Sequence, residues 1–126
     1  MGKNQPSILI VDDEIPFCQI IEELLREEGF EPISVNNGYD AIDEVKKNQK
    51  DIIFMDINMP GIDGIETLKR IKQIYNDQIV IMLTARGDVD TITKLLKAGA
   101  DDYIQKPIED RELLRILNSV NESGQS

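Results

Sequence analysis

Ile8-Leu9-Ile10-Val11-Asp12-Asp13 and Ile52-Ile53-Phe54-Met55-Asp56 decide the reading of this chain. Each is a run of apolar residues that stops at a carboxylate. Such runs, rich in β-branched residues, read as strands buried on both faces of a parallel sheet. Carboxylates at their C-terminal ends lie along the sheet edge where open α/β folds bind ligands. One Asp there is most simply a cap for the following helix. Three at matching strand ends repel one another unless a pKa rises or a cation neutralises them. Oxygen-only ligands of this kind suit a hard divalent ion, Mg²⁺ above all.

Outward from these two strands, strand and helix alternate along the chain. Phe17, Ile20, Ile21, Leu24 and Leu25 recur at helical spacing, and Gly29 supplies the stop. Residues 30–35 read as a second strand, which Pro32 demotes to an edge because proline cannot donate a ladder hydrogen bond. Residues 38–48 form a short helix with Ala41, Ile42 and Val45 inward. After the strand at 51–56 comes a turn-rich segment, Asn58-Met59-Pro60-Gly61-Ile62-Asp63-Gly64, and a third helix running to about Tyr75. Residues 79–83 form an apolar fourth strand, 88–98 a helix stopped by Gly99, and 102–105 a short polar fifth strand. A last helix spans 109–120. The sequence predicts a single folded domain over 7–120, a disordered segment at 1–6 and a flexible tail at 121–126.

Strands alternating with helices over short connections imply βαβ units, a parallel sheet and helices on both faces. Right-handed crossovers prune the topologies. The proline-bearing second strand and the polar fifth strand both want edges. The order 2-1-3-4-5, a flavodoxin-like (βα)5 sandwich, satisfies both. Winding then reverses between strands 1 and 3, which carry Asp12, Asp13 and Asp56.

Composition narrows the function classes. A chain of 126 residues fits one domain with a real core. Residues 1–7 lack the apolar core of a secretory signal, and no run approaches a membrane span. The expected location is the cytoplasm, with no membrane association. The net charge of −10 argues against direct nucleic-acid binding. The lone Cys18 excludes an internal disulfide, and its place in a helical pattern makes it a packing residue. The absence of histidine excludes His-based zinc sites and triads, so any phosphohistidine chemistry must come from another protein.

Thr84 ends the fourth strand and Lys106 the fifth, on the same edge as the carboxylates. A hydroxyl, a lysine, three carboxylates and a divalent ion suit phosphoryl transfer, which needs positioning and charge neutralisation above all. Asp56 stands alone on the central strand and is the better nucleophile, while the adjacent Asp12 and Asp13 suit metal. Taken singly, Thr84 reads as a helix cap, Tyr103 as half-buried packing, Lys106 equally well as a solvated edge charge, and Met59-Pro60-Gly61 as a plain turn. Their joint placement carries the reading.

These residues resemble a response-regulator receiver domain, the phosphoacceptor half of a two-component pair. The likeness rests on Leu9-Ile10-Val11-Asp12-Asp13-Glu14, Asp56 through Gly64, Thr84-Ala85, Gly99-Ala100-Asp101-Asp102-Tyr103 and Lys106-Pro107. It implies that Asp56 takes a phosphoryl group from a sensor histidine kinase or histidine phosphotransfer protein. It implies Mg²⁺ held directly by Asp13, Asp56 and the Asn58 main-chain carbonyl, with Asp12 acting through water. Lys106 would pair with the phosphoryl group and Thr84 would move to bond it. Tyr103 would turn inward, switching the face of the fourth helix, fifth strand and last helix, with a cis bond before Pro107. Leu95 on the fourth helix is a candidate exposed contact on that face, with core packing as the alternative. Asn58 and Arg86 stand at positions that vary in the family and bear on phosphoryl lifetime. The expected output is a downstream effector protein or output domain, and the chain itself is not a turnover enzyme.

Three rival readings make different demands. A flavin-binding electron carrier needs a Ser/Thr/Gly-rich phosphate loop after the first strand, where this chain has Asp12-Asp13-Glu14. A haloacid-dehalogenase-type phosphatase needs a second Asp two residues after the nucleophile, where this chain has Asn58. A receiver-like module that binds partners unphosphorylated has no need of the acidic set.

Overall fold

A computed structural model describes residues 6–125, with side chains described through residue 119. The elements are β1 (Ile8–Val11), α1 (Ile15–Glu27), β2 (Ile33–Val35), α2 (Gly38–Lys47), β3 (Ile52–Asp56), α3 (Gly64–Ile74), β4 (Val80–Thr84), α4 (Val89–Lys97), β5 (Asp102–Gln105) and α5 (Asp110–Gln125). All five strands are parallel, in the order β2-β1-β3-β4-β5. That is the flavodoxin-like order expected from the edge character of β2 and β5. Apart from Pro6, the segment 1–6 expected to be disordered lies outside the described residues.

The alternation of side chains along each strand divides the core into two layers. Ile8, Ile10, Ile52, Phe54, Ile81, Leu83 and Ile104 face α1 and α5, where they meet Cys18, Ile21, Leu25, Leu113, Ile116 and Leu117. Leu9, Val11, Ile53, Met55, Val80 and Met82 face the other way, onto Ala41, Ile42, Val45, Leu68, Ile71 and Leu95 of α2, α3 and α4. Every residue of β1, β3 and β4 is buried, as the continuous apolar runs require.

Helix starts are fixed by side-chain caps on the orphan backbone donors. Asn37, Asp63 and Asp88 accept from the backbone N–H of Asp40, Glu66 and Thr91 and so begin α2, α3 and α4. The cap of α4 is therefore Asp88 and not Thr84. Gly29, at φ 91°, lets the chain leave α1 in a left-handed turn, where the Phe30 N–H donates to the Leu25 carbonyl.

Four details differ from the sequence reading. The second strand begins at Ile33, after Pro32, because residues 28–30 are occupied in closing α1. Ile20, which shares the apolar helical spacing of Phe17, Ile21, Leu24 and Leu25, is exposed on α1. Leu95 is fully buried in the α2–α3–α4 layer and is not an exposed contact; its neighbour Leu96, 50% exposed, faces out instead. The last helix continues beyond residue 120 to Gln125, so residues 121–125, read as a tail, are helical.

Candidate functional site

The C-terminal ends of β1, β3, β4 and β5 converge on one rim. Asp12 follows β1 and is fully buried, held by backbone-linked contacts. Its N–H donates to the Val35 carbonyl, its own carbonyl accepts from Asn36 Nδ2 at 3.0 Å, and its Oδ1 accepts from the Glu14 N–H at 2.9 Å. The Cys18 thiol also donates to the Asp12 carbonyl, at 3.3 Å. Burial, then the charge of Asp12, pushes that thiol up to about 11, which keeps it protonated and unreactive. Cys18 is thus a buried packing residue, as read from its helical position.

Asp56 ends β3 and is almost wholly buried, while Asp13 is exposed at the rim. One carboxylate oxygen from each of Asp12, Asp13 and Asp56 lies within 4.8 Å of the others. Burial first, then the Asp12 charge, raises the Asp56 carboxyl from its ordinary 3.8 to about 6; Asp13 adds to the rise and Lys106 opposes it. Burial and two nearby negative charges hold this carboxyl above its usual range, and the site is thus short of positive charge. An all-oxygen donor set with that deficit fits a hard divalent cation, so the residues suit Mg²⁺.

Lys106 supplies the only cation within this carboxylate set among the described residues. Its Nζ donates to Asp12 Oδ2 at 2.9 Å, to Asp56 Oδ1 at 3.3 Å and to Glu14 Oε1 at 3.4 Å. The ammonium also sits 4.3 Å from the centroid of the Phe17 ring. Burial alone would lower its pKa, but the bonds and charges of Asp12 and Asp56 outweigh burial and raise it. It is therefore a fixed positive charge across the physiological range. The Lys106–Pro107 peptide bond is cis.

The loop after β3 is closed by Gly64, whose N–H donates to the Ile57 carbonyl at 2.6 Å. A Cβ at this position would run into the Asp56 carbonyl oxygen, so the close approach of α3 to the end of β3 requires glycine here. The same loop carries Asn58, which is exposed.

Thr84 is buried at the end of β4, and its Oγ1 is occupied by the backbone of the next turn. It accepts from the Arg86 N–H at 2.9 Å and donates to the Arg86 carbonyl at 3.0 Å. Tyr103 is half-buried, packed against the α2–α3–α4 layer. The register pairs Met82 with Tyr103 and Thr84 with Gln105, so Thr84 and Tyr103 share one face of the sheet. Arg86 is exposed, and its Nε donates to Asp88 Oδ1 at 3.1 Å.

The structure therefore brings Asp12, Asp13, Asp56 and Lys106 into one cluster and sets Thr84 beside it, with Tyr103 on the Thr84 face. Sequence reasoning missed two members of the Lys106 environment, Glu14 and Phe17. Glu14 could have been suspected from its place directly after the aspartate pair. Phe17 gave no signal beyond helical periodicity, because its contact with Lys106 joins residues far apart in sequence.

Comparison with known proteins agrees with this geometry. The sequence matches the model of the response regulator receiver domain over residues 8–118. The transcriptional regulatory protein ZraR of Klebsiella oxytoca is 42% identical over 120 residues, covering 95% of this chain and 27% of that protein. The transcriptional regulatory protein CpxR homolog of Haemophilus influenzae is 40% identical over 114 residues, covering 90% of this chain and 49% of that protein. The chain thus spans half or less of these relatives. Chemotaxis protein CheY4 of Vibrio cholerae superposes with a TM-score of 0.87 at 28% identity, covering 93% of this chain and 99% of that one. The receiver domain of sensor histidine kinase PA1611 from Pseudomonas aeruginosa superposes with a TM-score of 0.85 at 30% identity, covering 92% of this chain and 97% of that one. That structure holds a magnesium ion coordinated in its active site cleft. Among the described residues no helix is long and apolar enough to cross a membrane. With its strand order, its acidic cluster and nearly its whole length matched, the chain belongs to the response regulator receiver domain family of two-component signalling.

Proposed function

We propose that this chain is a phosphoacceptor that takes a phosphoryl group on Asp56 from a phosphohistidine of a sensor kinase or phosphotransfer protein. The observation that carries the reading is the convergence of Asp12, Asp13 and Asp56 with Lys106, whose Nζ lies 3.3 Å from Asp56 Oδ1. With its carboxyl at about 6, Asp56 is ionised at neutral pH and nucleophilic. One Asp56 oxygen attacks phosphorus, the P–N bond to the donor imidazole breaks, and that imidazole leaves with its electron pair and is protonated. Lys106 neutralises charge on the transferred group from a position it already holds. Asp12, Asp13, Asp56 and the Asn58 carbonyl are the groups that would hold Mg²⁺, which when bound supplies further charge neutralisation to the phosphoryl oxygens.

Receiver domains are signalling modules rather than turnover enzymes, and the output follows from a shift in population. In this reading the Thr84 hydroxyl gives up its bonds to the Arg86 backbone and turns to a phosphoryl oxygen. Tyr103, on the same face, follows into the space released, and the surface of α4, β5 and α5 presents a different shape to a downstream effector or output domain. A cytoplasmic location matches a kinase partner. The test is transfer from a phosphorylated kinase or phosphotransfer protein, followed as label moving onto this chain. The reading expects transfer that needs Mg²⁺ and a product labile to hydroxylamine. A hydroxylamine-stable product would place the phosphoryl group on a hydroxyl and overturn it.

A further inference from the structure

The Lys106 ammonium has a neighbour that phosphoryl chemistry does not call for. The Phe17 ring centroid lies 4.3 Å from Nζ, well inside the ~6 Å within which an aromatic face attracts a cation. Phe17 lies on the first turns of α1, half-buried, and packs against the core layer shared by α1 and α5. The ring is therefore fixed to the scaffold. Lys106 belongs to the segment after β5 and ends a flexible four-carbon stem.

The carboxylates alone do not define one place for that ammonium. Asp12 and Asp56 are buried and draw it inward, at 2.9 and 3.3 Å, whereas Glu14 is exposed and draws it outward, at 3.4 Å. The ring is the one uncharged partner in the set and does not compete for a proton. We propose that Phe17 is a positioning residue for Lys106: its aromatic face holds the ammonium beside Asp56 and against the outward pull of Glu14. Leucine at this position would fill similar volume without offering a π face, and tyrosine would keep the face. The proposal rests on the reading of Lys106 as the partner of the phosphoryl group.

Two measurements on the intact chain test it. Side-chain NMR reads the ε-methylene protons of Lys106, which the ring current of Phe17 should shift upfield. The shift should vanish in Phe17→Leu and deepen in Phe17→Trp, which introduces the only tryptophan of the chain. The rate of Asp56 phosphorylation by a small acyl phosphate should fall about two- to five-fold in Phe17→Leu and hold in Phe17→Tyr. In a Lys106→Met background, Phe17→Leu should change the rate no further. An unshifted ε-methylene in the wild type overturns the proposal. So does an equal Phe17→Leu loss with and without Lys106, which would make Phe17 a packing residue. If the wild type takes no phosphoryl group, it is the reading of the site that fails, and the ring-current shift upholds or overturns the contact by itself.

Discussion

Removing the charge of Asp56 should stabilise the metal-free protein. Burial and the Asp12 charge hold the Asp56 carboxyl at about 6 against an ordinary 3.8. Each unit of such a shift is about 1.4 kcal/mol, so ionised Asp56 costs the fold about 3 kcal/mol above pH ~7. The sign follows from linkage. A carboxyl whose pKa is raised by folding supports the fold while protonated, and that support is lost as pH climbs through about 6. Asp56→Asn keeps the shape and removes the charge. It also weakens one long bond from Lys106, at 3.3 Å, because the amide oxygen accepts without a charge, but Lys106 retains Asp12 at 2.9 Å. The net gain should be about 2 kcal/mol at pH ~7.5, shrinking towards zero near pH ~4. Urea unfolding followed by circular dichroism, with chelator present throughout, measures both ends. Saturating Mg²⁺ should narrow or reverse the gap, since the wild type offers the fuller ligand set. A variant no more stable than the wild type at the higher pH, or a gap indifferent to pH, would refute the argument that these carboxylates repel.

Asp13→Asn should weaken Mg²⁺ by at least the roughly ten- to hundred-fold that loss of an outer-shell partner costs a metal site, and titration calorimetry or NMR checks it. Unchanged affinity would remove Asp13 from the ligand set. Leu95→Ala should destabilise by about 2–5 kcal/mol because the side chain is fully buried, whereas Leu96→Ala should stay within about 0.5 kcal/mol; equal effects in thermal or urea melts would contradict the packing described for α4. A phosphoryl mimic should move backbone chemical shifts on α4, β5 and α5, and changes confined to the loops after β1 and β3 would point to another output surface.

Most of the fold was legible because its signals are local. Continuous apolar runs marked β1, β3 and β4, and Pro32 with the short polar 102–105 run marked the two edges. The order 2-1-3-4-5 satisfies both edges, the structure has it, and it gathers Asp12, Asp13, Asp56, Thr84 and Lys106 on a single rim. What stayed hidden depended on rotation or on distant contacts. Leu95 and Leu96 are equally apolar and adjacent, so only the roll of α4 on the sheet decides which is buried. The polar residues after 120 carry no apolar period, so nothing in the sequence marked the continuation of α5. Thr84 reads as a cap until Asp88 is seen to bond the Thr91 N–H. The Phe17–Lys106 contact joins α1 to the end of β5, and no spacing along the chain announces it.

The most direct measurement is the intact mass of the wild type and of Asp56→Asn after incubation with a small acyl phosphate and Mg²⁺. The wild type should gain the mass of one phosphoryl group, lost on treatment with hydroxylamine and never acquired under chelation. Asp56→Asn should gain none. Modification of Asp56→Asn at the wild-type rate would mean that another residue is the nucleophile, and the role assigned here to Asp56 would be wrong.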